Sequence, residues 1–177
     1  MTILFFRFFV LLLGFVFSAW KWGDWKNREK YYPTVLFIMV VNLGASYLTY
    51  HYALWNYSPD TLVKTHTILE FINCFIILPS AAFTYLSKFP SNNKFHQFAY
   101  IALWVLIFSG LEFIDHYIIG GIYYTNGWSW LTSTIFDCAI FSILRLHHLN
   151  PLRAWIITFL LTAFILVIFN FGFAEMK

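Results

Sequence analysis

Six stretches of mostly apolar residues, each near the roughly 20 that a bilayer span requires, occupy most of this 177-residue chain. They cover Ile3–Trp20, Pro33–Leu54, His66–Leu86, Gln97–Ile119, Trp128–Leu146 and Leu152–Phe173. No soluble core of this size could hide that much apolar surface. Only 11% of the residues are charged, against about 25% in soluble domains. The pattern predicts an all-α fold: a polytopic membrane protein with six transmembrane helices in a compact bundle. It forms one domain over residues 1–177, since no repeat, low-complexity tract or linker interrupts it. The lipid bilayer is the expected partner. The net charge of +3 does not read as a nucleic-acid surface, because the basic residues are scattered among loops.

The punctuation between the stretches agrees with this plan. The first stretch ends in Phe17-Ser18-Ala19, as a leader would, but it lacks a basic segment ahead of its apolar run and is read as a retained helix. Arg7 is expected to snorkel to the near surface. Pro33 suits a first helical turn, where its missing N–H costs nothing. Tyr47, Tyr50, Tyr52, Trp55 and Tyr57 read as an interfacial belt, and Ser58-Pro59-Asp60 as a turn. Pro79 predicts a kink, because it leaves the Phe75 carbonyl without its helical partner. Gly120-Gly121 and Asn126-Gly127 read as breaks. Asn150 reads as a cap and Pro151 as the first residue of the last helix. Cys74 and Cys138 lie inside apolar segments and read as small buried hydrophobes.

Ionisable residues inside these stretches are the functional signal. A charge at a helix centre in lipid costs about 2.5–3.5 kcal/mol on insertion scales, so such residues usually face inward and usually act. Glu112, Asp115 and His116 are expected to share one face of the fourth helix, and His66 and Glu70 one face of the third. These five are the candidate ligands for a metal ion. His51, Asn73, Asp137 and Arg145 are supporting polar groups, with His51 and His66 expected at the mouth of a common cavity. Asn42 and Asn73 read as interhelical hydrogen-bonding groups, and His147-His148 as a solvated pair beside a loop. Glu70, Glu112, Asp115 and Asp137 are four acids with no Lys or Arg expected at their depth. Carboxylates in that position must take up protons, pair with cationic histidines or hold a bound cation.

Three functions fit. The first is a site that binds or conducts a proton, metal ion or small cation. The second is a membrane-embedded enzyme acting on a lipid or envelope substrate, for which the oxygen and nitrogen ligands would suit a divalent metal ion such as Zn²⁺, Mn²⁺ or Fe²⁺. The third is a scaffold whose polar groups only set helix register. No phosphate loop, zinc-protease helix, Cys-x-x-Cys pair or serine elbow is present. The run of Glu112-x-x-Asp115-His116, Trp128-Ser129-Trp130, Asp137, Arg145-Leu146-His147 and Pro151-x-x-Ala154-Trp155 resembles a family of small, uncharacterised six-span membrane proteins of spore-forming Gram-positive bacteria. The likeness covers roughly residues 100–155 and implies topology and a bacterial cell membrane rather than an activity.

Lys and Arg set orientation. Lys21, Lys26, Arg28, Lys30, Lys88, Lys94, Arg145 and Arg153 fall in the odd-numbered loops, with only Lys64 and Lys177 on the other side. Both termini are therefore expected outside and the odd loops in the cytoplasm. Single cysteines introduced at Ser58 or Asn126, in a background without Cys74 and Cys138, should react with an impermeant thiol reagent added to whole cells. Cysteines at Asp24 or Asn92 should not, and outside labelling at 24 would reverse the assignment.

Overall fold

The computed structural model describes residues 2–60, 63–91 and 93–172, and within them the chain is predominantly helical. The helices are α1 (Ile3–Trp22), α2 (Tyr32–Leu48), α3 (His66–Ser87), α4 (Lys94–Ile119), α5 (Trp130–Leu149) and α6 (Pro151–Ile168). Helices α1, α3, α4 and α6 are long and apolar enough to cross a membrane. Helix α2 is apolar but shorter, at 17 residues. Helix α5 is 20 residues long but carries Asp137, Arg145, His147 and His148. Large apolar side chains cover the outside, among them Phe98, Leu106, Leu152 and Val167.

Local signals explain most helix ends. Ser129 accepts the Thr132 N–H at 3.3 Å and Asn93 the Phe95 N–H at 2.8 Å. Asn150 accepts the Arg153 N–H at 3.1 Å and Pro151 opens α6, as the sequence indicated. Gly120 closes α4 at φ +72°, a left-handed conformation that glycine adopts without steric cost. The connection before α2 is a short 3₁₀ turn, Trp25–Lys30. Beside it the Asn27 side-chain amide, donating to both oxygens of Asp24, holds that exposed carboxyl below its usual value.

Four expectations fail in this fold, that of Arg7 among them. The second helix stops at Leu48 rather than Leu54. Residues beyond it pair across the molecule instead: β1 (Trp55–Tyr57) runs antiparallel to β2 (Ile122–Tyr124), with Trp55 opposite Tyr124 and Tyr57 opposite Ile122. Thr125 N–H and the Asn126 amide add bonds to the carbonyls of Leu54 and Ala53, at 2.9 and 2.8 Å. These cross-chain bonds satisfy backbone groups that a longer helix would have satisfied internally. The His147-His148 pair lies within α5, and His147 is buried, 2.9 Å from Thr34 Oγ1 and stacked on Phe37. Cys138 is exposed on the outer surface of α5, whereas Cys74 is buried; both are free thiols. The expected end of the sixth stretch, Phe173, lies outside the described residues.

Two halves follow from this packing. Around Tyr85 the bundle is filled with aromatic rings: Phe89, Tyr100, Trp104 and Phe141 all contact it, and its hydroxyl donates to Phe141 O at 2.9 Å. The other half ends at the ribbon, and three helices widen into π turns there: Phe6–Leu12 in α1, Asn73–Ile77 in α3 and Ile114–Ile119 in α4. π turns occur mostly as isolated bulges and often at functional sites. At Pro79, where a kink was expected, the Leu78 N–H reaches back five residues to Asn73 O, just before the proline.

Arg7 locks the ribbon to the bundle. It is buried rather than snorkelling, donating from Nη1 to Asp60 Oδ2 at 3.1 Å and from Nη2 to Gly121 O at 2.6 Å. Removing one partner of a buried ion pair leaves an uncompensated charge and costs about 3–5 kcal/mol. Arg7→Met should therefore lower the thermal unfolding midpoint of the protein in nanodiscs substantially. An unchanged midpoint would show that water, not Asp60, satisfies the guanidinium.

Candidate functional site: an acid-walled cavity beneath the ribbon

Beneath the ribbon lies a cavity of about 220 Å³, formed by α1 to α5 with the two strands across one end. Its wall near the ribbon is polar: Glu112 and Asp115 from α4, Ser133 and Asp137 from α5, Asn42 from α2 and Asn73 from α3. Its opposite wall is apolar, built from Phe15, Ile38, Phe108 and Phe141 with the small Ala81 and Ala82 between them. Among the described residues no Lys or Arg lines it. A second cavity of about 50 Å³ adjoins this region and is lined by Arg7, Tyr57, Asn73 and Asp115.

The carboxylates differ in how they are held. Glu112 accepts from Tyr124 OH at 2.9 Å and from Ser133 Oγ at 2.7 Å. Ser133 and Asp137 stand four residues apart, hence on one face of α5. Asp115 and Asp137 are 5% and 7% exposed, and each keeps one buried oxygen, Oδ1 and Oδ2 respectively, without a hydrogen-bond partner among the described residues. Asn42 Nδ2 is in the same position. Thus three of the four such atoms belong to residues that line this one cavity, the fourth being Trp128 Nε1. Buried polar atoms are nearly always paired, so three orphans on one wall are an unusual concentration.

Outside the cavity stands a separate dyad. His66 Nε2 lies 3.5 Å from Glu70 Oε1, and Ser46 Oγ donates to Glu70 Oε2 at 2.8 Å. The Tyr57 N–H donates to His66 Nδ1 at 3.2 Å, which leaves the proton of the neutral ring on Nε2, facing Glu70. Shielding from water raises the Tyr57 phenol well above its usual value, and the charges of Glu70, Glu112 and Asp115 raise it further. The same two causes, burial and then Glu112, raise Tyr124. Both tyrosines therefore present neutral hydroxyls, suited to donating.

The five expected metal ligands do not converge. Glu112 and Asp115 face the cavity, while Glu70 pairs with His66 beside it. His116 turns to the ribbon, its Nδ1 donating to Ile122 O at 2.9 Å. The π turn over Ile114–Ile119 moves Asp115 and His116 off the shared face that a regular α-helix would give them with Glu112. Among the described residues no group of three His, Cys, Asp or Glu is placed to hold a metal ion. His51 is exposed against Tyr50 and takes no part in the cavity, and Arg145 lies over the Phe89 ring, away from Asp137. Asn73 does line the cavity, as expected of a supporting group.

The residues missed by the sequence reading are Ser133, Tyr124, Tyr57, Ser46 and Arg7. The four-residue spacing of Ser133 and Asp137 was a usable signal. The tyrosines had none, since only the ribbon brings them here. Both serines donate to carboxylates, and neither is hydrogen-bonded to a histidine. The lining combines acceptors in excess with one apolar wall, and among the described residues it carries no Lys or Arg. No family model, curated protein or solved structure matches the chain.

The Glu112 bonds can be tested directly. Tyr124→Phe should cost about 1.5–3 kcal/mol of stability, the range for hydrogen bonds to a charged group. The cost should largely vanish in a Glu112→Leu background. Equal costs in both backgrounds would show that the Tyr124 hydroxyl is serving something else.

Proposed function

We propose that this chain is a six-span protein of a bacterial cell membrane, with the ribbon end outside, and that its cavity binds a proton or cation within the bundle. Helices α2 and α5 are then the remaining spans beside α1, α3, α4 and α6. The apolar exterior supports the membrane reading: large side chains that would be a liability in water are what lipid requires. The basic residues of the odd-numbered loops support the orientation.

The observation that carries the cation reading is the placement of Glu112, Asp115 and Asp137 on one cavity that no Lys or Arg among the described residues lines. Arg7 was not expected inside the bundle, and it changes the charge count without balancing it. Its ion pair is with Asp60. Arg7 also shares the smaller cavity with Asp115, and His66 and His116 can become cationic nearby, but Glu70, Glu112, Asp115 and Asp137 remain in excess among the described residues. A carboxylate in low dielectric without a partner is unfavourable, so protons or a bound cation must complete the site.

Carboxyl-resolved infrared difference spectra of the protein in nanodiscs test this. At least one carboxyl band should titrate between about pH 5 and 9, well above the reference carboxylate values near 4, or shift when a cation binds. The band should be lost in Glu112→Gln/Asp115→Asn/Asp137→Asn. Spectra without such a band, from protein that binds no cation, would leave the scaffold reading in its place.

A further inference from the structure

The size and the two-sided wall of the cavity say more than its charge does. A single water needs roughly 10–15 Å³ of cavity, and the space here is about 220 Å³. One dehydrated inorganic ion would leave most of it empty, against an apolar wall that does not attract water. An apolar wall facing convergent polar groups is the usual build of a site for an organic molecule. The orphaned atoms give the polarity of its head. Asp115 and Asp137 are more than nine-tenths buried and both line the space; Asp115 Oδ1, packed against Gly121, and Asp137 Oδ2 have no hydrogen-bond partner among the described residues. An ammonium group has three donors and no acceptor, which matches them. Asn42 Nδ2 is left to donate to a water or to an oxygen on the same ligand.

We propose that the cavity takes an amphipathic organic cation, a protonated amine on an apolar body. The ammonium lies toward Asp115 and Asp137, and the body lies against Phe15, Ile38, Phe108 and Phe141. This rests on the cation-site reading above and names its ligand class. Glu112 stays engaged with Tyr124 and Ser133 and shapes the wall rather than holding the head.

The test uses full-length protein in nanodiscs, with protein-free nanodiscs subtracted for partitioning, and n-hexylammonium as probe in calorimetry. Saturable binding is expected. Affinity should rise about threefold to fourfold per methylene from ethyl- to hexylammonium, the equivalent of about 0.8 kcal/mol for each CH₂ buried. Asp115→Asn/Asp137→Asn should weaken binding tenfold or more. Hexanol binding as tightly as hexylammonium would overturn the proposal, because the acids would then be idle. Tetramethylammonium binding as tightly would overturn it too, because the apolar wall would be idle. These two comparisons use the wild-type protein and decide the matter even where the double variant does not fold. Binding of Na⁺, Mg²⁺ or Mn²⁺ that hexylammonium does not displace would sink the organic ligand and leave the cation site standing. A titrating carboxyl band with no binding of any probe would reduce the site to a proton site. Absence of both would remove the two readings together.

Discussion

The ribbon end of this molecule depends on one guanidinium. Arg7 reaches from the first helix to Asp60, in the loop before α3, and to the Gly121 carbonyl, in the turn after α4. These partners lie 53 and 114 residues away in sequence. Gly121 O also accepts the Ser58 N–H at 2.8 Å, and Asp60 Oδ1 accepts the Val63 N–H at 2.7 Å, so the same few atoms order the loop and the turn together. A lysine could not replace this, because its ammonium is a compact point charge and lacks the planar fork that meets two acceptors at once. With the ribbon held, Trp55, Tyr57 and Ile122 form one end of the cavity. Without it, the acids of α4 would face an open cleft.

A hollow site needs a rigid surround, and the other half of the bundle supplies one. Tyr85 and its aromatic neighbours fill the space between α3, α4 and α5, while Ala81, Ala82 and Ala154, at 0–1% exposure, let helix backbones approach closely. Empty volume is costly wherever packing could remove it, since lining atoms lose their dispersion partners. The cavity that remains lies beside three π turns. The π turns also displace side chains from the faces an α-helix would give them. That displacement turns His116 to the ribbon and leaves Asp115 at the cavity.

Much of this was legible in the sequence, and the reasons for the rest are specific. Hydropathy located the helices, because apolar runs of that length report burial in lipid or core whatever the neighbours do. The cost of a charge in such a run correctly turned Glu112 and Asp115 inward. The ribbon was invisible: each strand has three residues, too few for a two-residue period, and its partner lies far along the chain. That single omission accounts for the overlong second helix and for missing Tyr57 and Tyr124. Arg7 was assigned to the surface because a helix-end arginine usually snorkels; its acceptors exist only once the ribbon forms. His147 was placed in a loop because Asn150-Pro151 marks a break, yet the helix runs up to that cap and buries the ring against Phe37.

The acids divide into two kinds, and the division bears on what the cavity is for. Glu70 lies in the opening turns of α3, and Glu112 bonds to Ser133 in the opening turn of α5, so both stand near the positive ends of helix dipoles. Both also accept from hydroxyls: Glu70 from Ser46, and Glu112 from Ser133 and Tyr124. The fold itself satisfies these two. Asp115 lies in the last turns of α4, at the negative end of that helix, and Asp137 stands two turns into α5, and each keeps an oxygen that the fold leaves open. An acid needed only for stability would be expected to have its partners built in, as Glu70 and Glu112 do. On the binding reading proposed above, folding and binding draw on different carboxylates, and the two left open are the ones that an occupant would complete.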